Sequence, residues 1–516
     1  MTKRIAYLLA AIGMLQVNVF GSENVDYKIT KKPTEMTILA IQNGKVYDES
    51  WSVFQEAFKD TNVKLKSASS KNLTDEMQAF NLAISSGKLP DIISLSFPDK
   101  LESLGMEGGM IPLNDLIDKH APNIKAFFEK YPRYKMDAVA ADGKIYFIPD
   151  YYDWYAMRAA QGIFIRQDWL DKLGLKQPQT MEEFYQVMKA FKEKDPNGNG
   201  IADEVPYFDR TTEFADKELL GLFGAEFGFY VDNGKVEYGP EQPRFKEAMK
   251  EVIKWYKEGL IDPEIFTRGF QGRDYMLRND LGGVTFDWFA STTAYNTDKE
   301  ILSKNKNFKF IAIAPPEYKG KRYAPDARTT YLGGWGITAS AKDPVAAIKY
   351  FDYWFSQKGF ELSNWGVEGD TFKRDANGKK YFTDKVMKAD GKNPLQVLRG
   401  EGVQFRIGAL QDYEYEKAWG NPQANEWAEM YMANDYVVDP MPTLKYTPEE
   451  NKKIQKINSQ LEMTLKEMSQ KWILGAEDFD KTYNGFIKRL KEVGLDEAIK
   501  INQTAYDRFV NSSKNK

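Results

Sequence analysis

The feature that most constrains this chain is a change of hydrophobic period, repeated several times, between Met36 and Leu95. Met36-Thr37-Ile38-Leu39-Ala40-Ile41 is an apolar, β-branched run that reads as a strand. Trp51, Phe54 and Phe58 then fall on one face of a helix, and Thr61-Asn62-Val63-Lys64-Leu65 alternates with period two. Met77, Phe80, Leu82 and Ile84 sit on a second helix, which Gly87-Lys88-Leu89-Pro90-Asp91 ends before the apolar strand Ile92-Ile93-Ser94-Leu95. Strand, helix, strand, helix, strand is the pattern of a mainly parallel sheet flanked by helices, so the fold class is α/β. Ligands of such sheets bind beyond the carboxyl ends of the strands, which puts Ser94, Ser96 and Asp99 at a candidate cleft edge. A chain of 516 residues is too long for one growing core, so at least two domains are expected.

The same alternation continues. Asp142-Gly143 marks a turn before Lys144 to Pro149, and the dense aromatic group Tyr151, Tyr152, Trp154 and Tyr155 follows, with Arg158 close behind. Such rings suit either stacking on a sugar or packing in a core. Ile163 to Arg166 reads as a strand, Asp168 to Leu173 as a short helix stopped by Gly174. Thr180-Met181-Glu182-Glu183 is a capping box for a helix that buries Phe184, Val187, Met188 and Phe191. Further strands are expected at Gly282 to Phe286, Phe310 to Ile313 and Tyr331 to Thr338. Helices are expected from about Pro344 to Trp354 and through Ile454, Ile457, Leu461, Leu465 and Met468.

Immediately after the capped helix comes Asp195 to Glu204, DPNGNGIADE. Oxygen side chains at Asp195, Asn197 and Asn199, a turn-permitting Gly200, the carbonyl of Ile201, and Asp203 with Glu204 supply the ligands that calcium requires. The twelfth position, where an EF-hand carries its bidentate Glu, is Pro206. The loop therefore reads as a structural calcium staple, not a sensor.

Lys3 and Arg4 precede an apolar run from Ile5 to Leu15, and residues 1–22 read as an export signal. Val19-Phe20-Gly21-Ser22 looks like a bacterial lipobox with Ser in place of the lipidated Cys. With no cysteine anywhere, disulfides, thiol nucleophiles and thiolate metal sites are excluded. Formal charge is only −4, from 71 basic and 75 acidic residues, so no nucleic-acid footprint emerges. The single His120 lies in a helix-end context with no HExxH partner, and neither a Ser/His/Asp nor a Cys/His set is supported. Paired carboxylates for glycoside hydrolysis remain open from sequence alone.

The run from Phe164 to Pro206 closely resembles the large extracellular solute-binding proteins that serve bacterial ABC importers. Supporting segments are Ser86 to Ile93, Gly334 to Ile337, Trp365 to Gly369, Lys471 to Gly475 and Ala505 to Arg508. The resemblance implies a two-lobed periplasmic-binding-protein fold, hinged by crossing strands, that closes on ligand in the interlobe cleft. It places residues 33–150 and 338–395 in an N-lobe, and 151–337 and 396–516 in a C-lobe that carries the calcium loop. The protein is then a monomeric binder and not an enzyme. It would work in the periplasm or at the outer face of the cytoplasmic membrane and deliver an oligosaccharide to the ABC permease subunits. The calcium loop is similar to that of alginate-oligosaccharide binders and of a binder of unsaturated glycosaminoglycan disaccharides, which implies an acidic sugar. On that basis Trp288 is the first stacking candidate, with Trp154, Trp335, Trp365 and Trp427 behind it. Arg158, Arg328 and Arg406 are candidates to grip a uronate carboxylate.

Overall fold

The computed structural model describes residues 26–42, 44–153, 158–210, 217–324, 329–390, 392–405 and 407–514. Two mixed sheets, each covered by helices, organise these residues. The first contains β1 (Thr34–Gln42), β2 (Lys45–Val46), β3 (Val63–Ser67), β4 (Ile92–Leu95), β5 (Ile148–Tyr152), and two later strands at Tyr331–Ile337 and Leu410–Gln411. The second contains β6 (Gln161–Arg166), β7 (Val205–Tyr207), β8 (Gly282–Trp288) and β9 (Phe310–Ile313). We label Tyr331–Ile337 β10 and Leu410–Gln411 β11.

The opening β-α-β-α-β pattern forms as expected: β1 pairs in parallel with both β3 and β4. The parallel character does not extend through the sheets. β10 runs antiparallel to β4 and β5, and in the second sheet β6 runs antiparallel to β8 and β9. The physical reason is the crossing connectivity. The chain leaves the first sheet at Tyr152 to enter the second at Gln161, leaves the second at Ile313 and returns at Tyr331. Strands that arrive from the other sheet enter in the reverse sense to their neighbours.

β10 therefore belongs to the first sheet, which corrects the expected assignment of 331–337 to the second lobe. Two glycines make its position possible. A Cβ on Gly334 would lie 2.3 Å from the Ile148 carbonyl oxygen, and one on Gly336 would lie 2.3 Å from that of Tyr146. Residues from 396 onward divide in the same way. Leu398, Val403, Phe405, Ile407, Ala409 and Tyr415 pack in the first core, with Ile38, Ile92, Phe147 and Trp354. The helices Pro448–Ile473 and Phe479–Glu492 pack in the second, against Phe184, Phe245 and Trp255.

The second sheet is buried on both faces. Ile163, Ile165, Val284 and Phe286 face one core, and Phe164, Phe310 and Ala312 face another with Phe289, Trp427 and Tyr431. The helix Met181–Glu193 carries the expected capping box between Thr180 and Glu183 and buries Phe184, Val187, Met188 and Phe191. Each such side chain contributes roughly 1.5–3 kcal/mol, enough to make this helix a firm base for the loop that follows it.

One buried carboxylate gives the first core a pH dependence. Asp352, 6% exposed, caps the helix Pro122–Lys130: its Oδ1 accepts from the Ile124 amide at 2.8 Å and its Oδ2 from Asn123 Nδ2 at 2.8 Å. Burial outweighs these donors and pushes the carboxyl up to about 6 from an ordinary 3.8. Between those values the folded chain holds a proton that the unfolded chain has lost, so stability falls as pH rises through the window, by at most about 3 kcal/mol. Melting temperatures measured from pH 4 to 7 should show this slope, and Asp352→Asn should flatten it. An unchanged slope in the variant refutes the assignment.

Candidate functional site

Strand β8 positions the site. Residues Gly282 to Asp287 are buried, and the strand ends at Trp288, whose ring is 38% exposed. Asp287, 1% exposed, collects two arginines from different elements. Its Oδ2 accepts from Arg273 Nη1 at 2.9 Å, and its Oδ1 from Arg210 Nη2 at 3.0 Å and from the Trp288 amide at 2.7 Å. Arg210 follows β7, which pairs in parallel with β8, and Arg273 lies on the helix Gly272–Arg278. Arg273 Nη1 also donates to Ser291 Oγ and Thr292 Oγ1, both at 2.9 Å. The Arg210 guanidinium lies 4.9 Å from the ring centre of Phe270, which is 72% exposed.

Arg210 and Arg273 share the Asp287 carboxylate, and the buried Asp209 carboxylate also acts on Arg210, so two cations and two anions are gathered beside the partly exposed Trp288. Burial pulls the Arg210 pKa below its ordinary value, with Asp287 opposing and Arg273 reinforcing the shift, but a guanidinium remains cationic at any physiological pH. Asp287 is the one ion-pair partner of Arg210 among the described residues, so donors remain for an incoming anion.

Across from Trp288 stands the helix Tyr413–Trp419, which is rooted in the first core through Tyr415. Trp288, Phe289, Tyr413, Glu416, Trp419 and Asn425 line a cavity of about 30 Å³ between the lobes. That volume suits a water and not a sugar ring, so a saccharide enters here only if the helix and Trp288 separate.

The other expected site residues lie elsewhere. Trp335 is fully buried, stacked on Phe351 with ring centres 4.1 Å apart, and Trp365 is stacked on Phe382 at 4.9 Å. Trp427 meets Phe164 edge-on at 5.2 Å in the core behind β8. These three rings fill cores in place of the cleft-facing positions expected for them. Arg158 is held by Asp435 and Asp439, each at 2.7 Å, a pairing that competes with any ligand role. Trp154, Arg328 and Arg406 lie outside the described residues. Arg210 and Arg273 were not anticipated: nothing in their local spacing marks them, and only the pairing of β7 with β8 brings them to Asp287.

The loop Asp195–Glu204 coils tightly around its first residue. Asp195 Oδ1 accepts from the amides of Gly198 at 2.8 Å and Asn199 at 3.1 Å, and Oδ2 accepts from Gly200 at 3.0 Å. Gly198 and Gly200, with φ of 79° and 78°, allow the turns. Asn197 Nδ2 donates to Asp203 Oδ1 at 3.1 Å, and Asn199 Nδ2 donates to both Asp203 oxygens. Ile201 is 61% exposed, so its side chain has no packing role. Among the described residues no three His, Asp or Glu side chains stand in a metal-holding arrangement; the donors here are partly amides, turned onto Asp203. Yet Glu204 is 1% exposed and its carboxylate has no cationic side chain paired with it among the described residues. Burial pushes its carboxyl up, the backbone amides of Glu204 and Asn197 oppose the shift, and Asp195 and Asp203 add to it. A buried carboxylate with no cation, beside two more acids and two amides, is the donor chemistry of a hard divalent cation.

Comparison with known proteins agrees with this architecture. The alginate-binding protein AlgQ2, solved without calcium ion, is 41% identical and superposes with a TM-score of 0.77 over 93% of this chain and 99% of that one. The fructooligosaccharide ABC transporter substrate-binding protein FusA of Streptococcus pneumoniae is 27% identical over 84% of this chain and 83% of its own length. The polygalacturonan/rhamnogalacturonan-binding protein YtcQ of Bacillus subtilis is 24% identical over 78% of each chain. Residues 40–359 match the model of the bacterial extracellular solute-binding proteins. The chain belongs to the family of bacterial extracellular solute-binding proteins.

Proposed function

We propose that this protein is the solute-binding component of an ABC importer for an acidic oligosaccharide, with an unsaturated, uronate-containing glycosaminoglycan disaccharide as the first choice of ligand. The carrying observation is the partly exposed Trp288 beside the Arg210 and Arg273 guanidiniums gathered on Asp287. An indole face takes the apolar face of a pyranose, and a guanidinium with spare donors takes a uronate carboxylate. Glu416, on the opposite lobe, lines the same cavity, where its Oε2 accepts from Gln411 Nε2 at 3.1 Å. The protein is exported, works as a monomer outside the cytoplasmic membrane, hands its cargo to permease subunits and performs no chemistry on it. Calcium, held by Asp195, Asn197, Asn199, Asp203, Glu204 and the Ile201 carbonyl, stiffens the second lobe.

Alginate-type oligosaccharides are the second reading, favoured by the 41% identity to AlgQ2. Calorimetry with unsaturated chondroitin and hyaluronan disaccharides, an alginate oligosaccharide, maltose and xylobiose separates the cases. Binding of the disaccharides above the others supports the first reading, and preference for alginate supports the second. Binding of a neutral sugar alone defeats both. The recovered sugar should be chemically unchanged.

A further inference from the structure

Behind the cleft, consecutive residues point into different lobes. Lys445 is 5% exposed, and its ammonium is paired with Glu102 and donates to the Tyr331 hydroxyl at 2.9 Å. Both partners belong to the first lobe. Tyr331 opens β10, and Glu102 lies on the helix Pro98–Met106, which packs so closely that a Cβ on Gly105 would come within 2.3 Å of the Tyr146 ring. The next residue, Tyr446, packs against the second core, and its hydroxyl donates to buried Asn502. Thr447 then caps the helix Pro448–Ile473 through a capping box with Glu450. Arg508 closes the arrangement, donating to the Lys445 carbonyl and gripping Glu450 at 2.7 and 3.0 Å.

We propose that Lys445 and Tyr446 form a rivet that fixes the axis on which the lobes turn, making Lys445 a positioning residue for ligand capture. Separation at this point would leave the buried Glu102 carboxylate without its cation, so the two lobes stay joined here while they part at Trp288. A second contact lies on the same side: Arg133 of the first lobe stands 5.1 Å from the Phe509 ring centre on the helix Leu495–Lys514. A cavity of about 380 Å³ lies beside the rivet, lined by Glu102 and Lys445 with Asn451 and Ile454, which gives the neighbouring helices room to tilt without breaking it. Two fixed points, the rivet and the contact of Arg133 with Phe509, define an axis, so the lobes rotate without sliding and Trp288 meets the Tyr413–Trp419 helix in a single register at each closure.

The rivet depends on the binding reading only for its purpose, so the test begins without ligand. X-ray scattering and amide hydrogen exchange of the full chain are compared for wild type, Lys445→Met, Lys445→Arg and the double variant Lys445→Met/Glu102→Gln, which leaves no unpaired buried charge and so guards against simple misfolding. Exchange at residues 443–447 should speed up about ten-fold or more in Lys445→Met and in the double variant, with a larger radius of gyration, and Lys445→Arg should restore both. A lowered melting temperature with unchanged scattering and exchange would overturn the proposal, leaving the pair as ordinary packing. With a sugar found by calorimetry, the unriveted variants should also bind about ten-fold more weakly, because fewer molecules hold a closable geometry. Wild-type affinity in a variant whose lobes have come apart would equally overturn it. Failure of every sugar to bind would count against the ligand assignment and leave the scattering and exchange results intact.

Discussion

Arg210→Met should weaken binding of an unsaturated uronate disaccharide by about 1.5–3 kcal/mol, roughly 10- to 150-fold, the range for a lost hydrogen bond to a charged group. The variant keeps Asp287 paired, because Arg273 still donates to it at 2.9 Å and is fixed by Ser291 and Thr292. The fold is therefore expected to survive with little change in melting temperature. The loss should be specific to acidic ligands: with the guanidinium gone the site loses one positive charge and turns net negative beside Asp287 and Asp209, which costs a carboxylate and leaves a hydroxyl nearly indifferent. Arg210→Lys should recover only part of the affinity, since an ammonium keeps the charge and lacks the planar fork. Trp288→Ala provides the contrast, weakening acidic and neutral sugars alike through the lost ring face. Equal losses for acidic and neutral sugars in Arg210→Met, measured by calorimetry, would remove Arg210 from carboxylate recognition.

What the sequence disclosed depended on whether the physics was local. The capping box at Thr180, the stop at Gly174 and the stripe on Met181–Glu193 are decided within a few residues, and all are present in the structure. The first strands and helices were legible for the same reason. Trp335 lies on the strand expected at Tyr331 to Thr338, and nothing local tells a core-facing ring there from a cleft-facing one. Gly334 and Gly336 let β10 slot between β4 and β5, and the indole between them stacks on Phe351. That same insertion moved the lobe boundary, since strand partners separated by hundreds of residues leave no trace in hydrophobic period. Trp288, the first stacking candidate in the sequence, is the exposed one among the described candidate tryptophans because β8 ends there. The arginine pair was invisible for the reason that makes it useful: Arg210 and Arg273 converge on one carboxylate from separate elements, and no spacing rule encodes that meeting.

Removing calcium should lower the melting temperature of the second lobe and leave sugar affinity nearly untouched. Glu204 carries the argument: it is 1% exposed, has no cationic partner among the described residues, and shares its surroundings with Asp195 and Asp203. Without a cation this is an uncompensated buried charge, which costs several kcal/mol. At a thousandfold excess of free calcium over its dissociation constant, binding stabilises by about 4 kcal/mol. With a shift of about 2–4 °C per kcal/mol for a lobe of this size, chelation should lower its transition by roughly 8–16 °C. Glu204→Gln should shrink the difference from both sides, raising the melting temperature of the chelated protein and lowering that of the calcium-loaded one. The indifference of the sugar site follows from distance along one strand. Asn197 holds the carbonyl of Asp280, just before β8 begins, whereas Asp287 and Trp288 end the same strand. Seven residues of strand place the two sites about 20 Å apart, at opposite ends of an interior strand of a sheet buried on both faces. A strand so packed transmits little of a loop's loosening until the lobe itself unfolds, so affinity measured well below the transition should hold within about two-fold. A large loss of affinity with an unchanged melting temperature would mean that the ion shapes the cleft directly, and the staple reading would be wrong.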